Sequence, residues 1–335
     1  MPTGIAIIGA GRWGVNLIRN FLKHPDAQII TVVDVHLENL QSLSQKMGVL
    51  WDENIILTSD YNDIFNLSNI QAVVIVTPAV THYDLITSCL EKGFHVLAEK
   101  PLTILPEDSF KLCDLAAEKQ RLLIVDHTYL FNPVVQAGKL FCEEKKLGNL
   151  RYGYATRTNL GPVRYDVDAM WDLVIHDIAI FNYWLGEFPI QVQAMGNSWL
   201  QSNLVDVAWI KLIYPSGFNT MIHVSWLNPD KQRRLGIVGS KGTLIFDELL
   251  PNPLTFYGGS FSQQGIYFIP DQPYTENISF VPDEPLFKVV DHFLECVREN
   301  KESHISSGWL GANLVRIVNC LNQSLQQGGI MVNVD

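Results

Sequence analysis

Asp172 and His176 stand four residues apart in WDLVIHDI, residues 171–178, an otherwise apolar run. Four residues is just over one turn of α-helix, so on a helix the two side chains share a face. A carboxylate beside an imidazole raises the imidazole's pKa and fixes its tautomer. An enzyme that moves protons needs such a pair. A buried histidine that only wants a hydrogen-bond partner needs it too, and the octapeptide alone leaves both readings open. A second constellation is GAGRWG, in which Gly9, Gly11 and Gly14 form a GxGxxG between an apolar run, GIAII, and a helical pattern, VNLIRNFLKH. The first glycine makes a tight turn, the second lets backbone approach a pyrophosphate, and the third lets helix pack on strand. The helix N-terminus favours the negative charge. Asp34 lies 20 residues after Gly14, at the end of the next β-branched run, where an acid accepts from a ribose 2′-hydroxyl. A carboxylate repels a 2′-phosphate, so NAD is expected over NADP, although His36 leaves NADP possible. Arg12 and Trp13 are expected over the cofactor, with simple packing the other reading for Trp13.

The elements that must hold these residues follow from pattern. Strands at 4–8, at AQIITVVDV, at IQAVVIVTP, at HVLAEKP and at RLLIVDH alternate with helical segments, and loops are short. Thr81 and Gly93 bracket one of those helices as caps. Such βαβ alternation predicts a doubly wound parallel sheet of the Rossmann type over residues 1–127. Residues 128–335 change character. A helix is expected at 133–146, a strand at 149–160, and a helix at roughly 167–185 ending at Gly186. Strands follow at 190–199, 204–214, 217–227, 233–239 and 242–247, with hairpin turns at YPSGF and GSKGT. Residues 248–284 read as loop-rich, and helices at 285–299 and 307–326 end the chain. The fold class is therefore α/β, with a C-terminal α+β domain on an open, largely antiparallel sheet.

Composition sets limits. The 335 residues carry a formal net charge of −11, which argues against nucleic acid and anionic membrane as partners. Five cysteines without a CxxC pair fit reduced thiols in a cytoplasmic protein. No apolar run reaches 18 residues, and no signal peptide is read at the N-terminus. His95, His223 and His292 have no partner at metal spacing, so no metal is expected.

AEKPLT, residues 98–103, in a chain that begins with GxGxxG, resembles the Gfo/Idh/MocA oxidoreductases, the glucose–fructose oxidoreductase and inositol dehydrogenase family. The likeness extends through VVIVTPAVTHYDLITSCLEKGFHVLAEKPLT to GSKGTLIFD. It implies an NAD(P)-dependent dehydrogenase acting on CH–OH groups. Lys100 would touch the nicotinamide ribose and the reacting hydroxyl, His176 would be general acid/base, and Asp172 would orient it or hold substrate. Thr77, Pro78, His82 and Glu99 would contact the cofactor. The chain departs from the family where many members carry a glycine run before DxxxH and this one reads VDAMWD.

Other residues carry expectations with alternatives. His127 ends the fifth strand, as a nicotinamide contact or a structural hydrogen bond. Tyr129 and Asn132, in HTYLFNP, are candidate substrate contacts. RTNLGPVR, residues 157–164, resembles relatives that oxidise the 3-hydroxyl of nucleotide-activated N-acetyl sugars. Arg157, Asn159 and Arg164 are therefore candidates for an anionic sugar substrate, because guanidinium groups bind phosphate and carboxylate in bidentate fashion. The alternative pairs both arginines with acids such as Asp166 and Asp168. A free polyol or aldose, or a non-catalytic dinucleotide-binding regulator, are the competing functions. Trp199, Trp209 and Trp226 fall on expected strands, as core or as a sheet face covered in a homodimer or homotetramer.

Overall fold

The computed structural model describes residues 2–165 and 167–334; Asp166, one of the acids expected near the arginines, lies outside them. Contacts between Cα atoms divide the chain into two compact units, 1–131 with 283–315, and 132–282 with 316–335.

The first unit is a six-stranded parallel sheet. In chain order its elements are β1 (Thr3–Ile8), α1 (Gly14–Lys23), β2 (Ala27–Val33), α2 (Leu37–Gln41), α3 (Leu43–Met47), β3 (Ile56–Thr58), β4 (Ala72–Ile75), α4 (His82–Glu91), β5 (His95–Glu99), α5 (Pro106–Glu118) and β6 (Leu123–Asp126). The strand order is β3-β2-β1-β4-β5-β6, so the direction of winding reverses between β1 and β4, where such sheets bind ligands beyond their carboxyl ends. β1 and β4 are buried along their whole length. Helices on both faces leave no solvent side, which is why their sequences are continuously apolar. Helix α1 buries Leu17, Ile18 and Phe21 on one stripe. The short edge strand β3, in ENIILTSD, was absent from the sequence expectation.

Residues 283–315 depart from the expected contiguous domain of 128–335. They carry α8 (Pro285–Glu299) and the start of α9 (Gly308–Gln326). Phe293 packs edge-on against Phe21 at 6.5 Å between ring centroids. Val125 donates its amide to Ser306 O at 3.1 Å, and Ser306 Oγ donates to Val125 O at 2.7 Å. The outer edge of β6 is thereby paired rather than exposed.

The second unit holds α6 (Pro133–Glu143), β7 (Leu150–Leu160), α7 (Ile175–Leu185), β8 (Gln191–Asn197), β9 (Val207–Ile213), β10 (Asn219–Ser225), β11 (Leu227–Gly239), β12 (Gly242–Asp247), β13 (Leu254–Gln264), β14 (Tyr267–Asn277) and β15 (Val332–Asn333). They form a nine-stranded sheet, β14-β13-β12-β11-β7-β10-β9-β8-β15. All its pairs are antiparallel except β7 with β10. Helices α6 and α7 cover one face: a Cβ on Gly153 of β7 would come within 2.7 Å of the Phe181 ring, and Phe141 lies 4.9 Å from Phe256. Trp226 is buried, Trp209 lies on the opposite, exposed face of the sheet, and Trp199 is exposed beyond the end of β8. The stretch 248–284, expected as loop, is mostly the β13–β14 hairpin. All eleven residues of β14 are exposed, so no buried alternation marks it.

Candidate active site

In the first unit the glycine loop runs from β1 into α1. Gly9 has φ +108, and a Cβ there would lie 2.4 Å from Val76 O. A Cβ on Gly14 would lie 2.2 Å from Gly9 O. Both glycines are required by the chain's own packing. Gly11 differs: a Cβ there meets nothing within 4 Å, so the protein itself leaves open the space that a pyrophosphate approaching the loop would take. Trp13 caps α1 and is half-exposed with Arg12 beside it, and the first turn of the helix contains no acid. The loop fits a dinucleotide.

Asp34 is buried against that loop. Its Oδ2 accepts from Ala10 N at 2.7 Å and from Asn39 Nδ2 at 3.1 Å, and its Oδ1 accepts from His36 N at 2.8 Å. A carboxylate has about four acceptor positions, so one on Oδ1 is left for a hydroxyl donor. His82, expected against the cofactor, is fully buried instead. Its Nε2 lies 2.9 Å from Thr77 O and its Nδ1 lies 3.0 Å from Pro101 O and 3.2 Å from Leu102 O. Burial pushes its pKa down against the three carbonyls. The ring ties the loop after β4, with Thr77 and Pro78, to the loop after β5. Thr77 Oγ1 pairs with Thr81 Oγ1 at 2.7 Å. The peptide from Lys100 to Pro101 is cis.

Glu99 and Asp126 are register partners at the ends of β5 and β6. Asp126 was not among the sequence candidates, although it adjoins one, His127. His127 is buried, and neither ring nitrogen has a hydrogen-bond partner. Burial, then the Lys100 charge, push its pKa down to about 3, so the ring is neutral. Tyr129 is half-buried in the turn that follows.

In the second unit Asp172 lies in a π turn, Met170–Val174, which passes into α7 at Ile175. A π turn has more residues than an α turn and marks functional sites more often than chance. The Asp172–His176 spacing therefore spans a π–α junction rather than plain α-helix. Asp168 receives Trp171 N at 2.8 Å and closes the start of the turn; burial pushes its pKa up to about 6. Arg164 Nη1 lies 3.3 Å from Asp172 Oδ1, with about two-fifths of its side chain exposed.

Arg157 corrects an expectation. It is buried, and its guanidinium grips Asp177, with Nη2 to Oδ1 at 2.7 Å and Nε to Oδ2 at 3.1 Å. It fastens β7 to the first turn of α7, beside His176, and is not placed to meet a substrate. The alternative of an acid partner holds for Arg157, with Asp177 as the acid, while Asp166 lies outside the described residues. Asn159 is likewise engaged, donating to Gly161 O at 2.8 Å and accepting from Arg233 Nη2 at 2.9 Å. Asn132 caps α6, accepting from Val134 N at 2.9 Å. Among the described residues no three His, Cys, Asp or Glu side chains cluster as metal ligands.

Two family profiles match the chain. "Oxidoreductase family, NAD-binding Rossmann fold" covers residues 3–127, and "GFO/IDH/MocA C-terminal domain" covers residues 136–245. The chain belongs to the Gfo/Idh/MocA oxidoreductase family. It is an NAD-binding oxidoreductase acting on CH–OH groups. Its sequence is 26% identical over 309 residues to scyllo-inositol 2-dehydrogenase (NAD(+)) of Bacillus subtilis, covering 88% of this chain and 86% of that one. It is 25% identical over 277 residues to UDP-N-acetylglucosamine 3-dehydrogenase of Acidithiobacillus ferrooxidans, covering 79% and 85%. The solved structure of the latter enzyme matches with a TM-score of 0.83 and 21% identity over 98% of each chain, which speaks to the fold.

Proposed function

We propose that this chain oxidises a ring secondary hydroxyl of a sugar, with NAD preferred over NADP and a nucleotide-activated N-acetyl sugar as substrate. The observation that carries the chemistry is the Asp172–His176 pair at the π–α junction, its helix fixed from below by the Arg157–Asp177 ion pair. When bound, NAD supplies the acceptor for the hydride. His176 takes the hydroxyl proton on a ring nitrogen and Asp172 orients that ring, while in the NAD-binding unit Lys100 is the proposed contact of the nicotinamide ribose. Asp34 disfavours a 2′-phosphate because its carboxylate is held beside the glycine loop by three donors.

The anionic substrate rests on Arg164, exposed to solvent and 3.3 Å from Asp172, and on the likeness to the UDP-N-acetylglucosamine enzyme. The burial of Arg157 removes one of the two cations that favoured it. That same burial supports a second reading, a free polyol such as the inositol relative uses. Turnover of NAD with UDP-N-acetylglucosamine against scyllo- and myo-inositol separates them. The first reading expects higher kcat/KM on the UDP-sugar and a raised KM in Arg164→Ala with NAD affinity unchanged. Higher efficiency on inositol decides for the polyol. In either case His176→Ala loses turnover by about 10²–10⁴-fold while keeping NAD affinity; a variant within threefold of wild type would return His176 to a structural role.

We further propose a homodimer or homotetramer built on the exposed face of the nine-stranded sheet. Register places Met195, Trp209, His223 and Thr156 in one row across β8, β9, β10 and β7, with Lys211, Met221 and Tyr154 in the next. Trp209 stacks on His223 at 5.3 Å between centroids. A broad exposed apolar face of this kind marks an association surface. The five free cysteines fit a reducing compartment.

A further inference from the structure

The ends of β5 and β6 hold a group of buried polar atoms that a pair of ionised carboxylates cannot satisfy. Glu99 and Asp126 face each other in register. Glu99 Oε2 accepts from Lys100 N at 3.2 Å, and Asp126 Oδ1 accepts from Thr128 Oγ1 at 2.8 Å. The remaining oxygens, Glu99 Oε1 and Asp126 Oδ2, are buried without a partner. An ionised carboxylate only accepts, so two of them side by side repel and leave both oxygens unmet. One proton resolves both problems, because a carboxylic acid donates to its ionised neighbour.

We propose that Glu99 and Asp126 hold one proton between them at neutral pH, and that this singly charged pair is the fixed counter-ion that positions the Lys100 ammonium, Asp126 acting as a positioning residue. The charged and titratable groups that face the pair are Lys100 and the neutral His127, with Trp13 and Thr128 as further polar neighbours. Burial, then the Asp126 charge, push Glu99 well above the usual carboxylate range. Burial also raises Asp126, but the Thr128 hydroxyl, Glu99, Trp13 and Lys100 hold it lower. The proton therefore belongs to the pair, one carboxyl group donating to the other. With Lys100 positive and His127 neutral, the cluster carries no net charge, the condition under which a polar group is least costly to bury.

Infrared spectroscopy of the full chain tests the shared proton without reference to turnover. Above pH 6, where Asp168 has also ionised, the wild type is expected to show a carboxylic C=O band. Isotope labelling of the glutamates and the aspartates shifts it, with no substitution needed. The band is expected to be lost in Glu99→Gln and in Asp126→Asn, since a single carboxylate beside Lys100 ionises. No band in wild type, no shift on labelling, or a band that survives Asp126→Asn would overturn the sharing. The link to Lys100 is read from the pH profile of kcat/KM, in the limb that Lys100→Met removes. This arm rests on the dehydrogenase reading above. Each single variant keeps one negative charge and leaves that limb in place. The double variant removes the charge and moves the limb down by about one unit or more, a tenfold change in proton affinity. A single variant that moves the limb as far as the double, or a double that moves nothing, would overturn the positioning role. A labelled band in a chain that turns over no sugar would fail the dehydrogenase reading and leave the pair standing.

Discussion

At the scale of single residues, burial decides what each titratable group can do. His127 is held neutral, with its pKa pushed down to about 3 from 6.5 by burial first and Lys100 second. The unfolded chain takes up a proton there below pH 6.5 and the folded chain does not, so this residue's contribution to stability falls as pH drops from 6.5 toward 3. At about pH 5 the loss is about 2 kcal/mol. Asp168 acts in the opposite sense, since its pKa is raised to about 6 and its contribution falls as pH rises from 3.8 to 6. Urea midpoints of wild type and His127→Gln, taken at pH 7 and pH 5, cancel the Asp168 effect. The wild type is expected to lose more stability than the variant over that interval, and equal losses would mean that His127 is protonated in the fold. Arg157 shows why residue roles read from sequence need a partner list. Two arginines and an asparagine close in sequence looked like one anion site, but the acid that takes Arg157 is 20 residues away and becomes its neighbour only when α7 packs on β7.

At the scale of elements, the three glycines of the loop separate into two that the fold itself requires and one, Gly11, that it leaves open. Gly14→Ala drives a methyl into Gly9 O and is expected to lower the melting temperature by several degrees. Gly11→Ala meets no protein atom, so it is expected to melt like wild type and to lose NAD(H) affinity at least tenfold. Thermal melting and fluorescence titration of both variants check this, and a Gly11→Ala chain that binds NADH normally would remove the pyrophosphate from the loop. The glycines, Asp34 and the α/β alternation were legible because each rests on local geometry or on strands buried on both faces. The π turn was not, since DxxxH has the same spelling in either kind of helix. Strand β3 was too short to show a period. Strand β14 carries no buried face, and the hairpin's Gly258, Gly259, Pro270 and Pro273 read as loop, although proline is tolerated on an edge strand.

At the scale of the whole molecule, the exposed sheet face is the feature that a lone chain leaves unexplained. Trp209→Glu places a charge at the centre of the Met195–Trp209–His223 row and is expected to shift light scattering from an oligomer toward a monomer, with the melting temperature of the NAD-binding unit little changed. A wild type that is monomeric at micromolar concentration would refute the assembly. The division of the chain has another consequence. It passes between its two units three times, at 131, 282 and 315, and the edge of β6 is closed by Ser306 and Ser307. Synthesis runs from the N-terminus, and domains fold as units when their residues are all present. The first unit, although its sheet is encoded first, is thus completed only when residues 283–315 emerge, and the second only with 316–335. Its parallel sheet waits, with the β6 edge open, until β7 to β14 of the second unit have already emerged. Ribosome-bound chains halted after residue 282 are expected to protect strands β7 to β14 from protease before the six-stranded sheet, the reverse of the order in which the two are encoded.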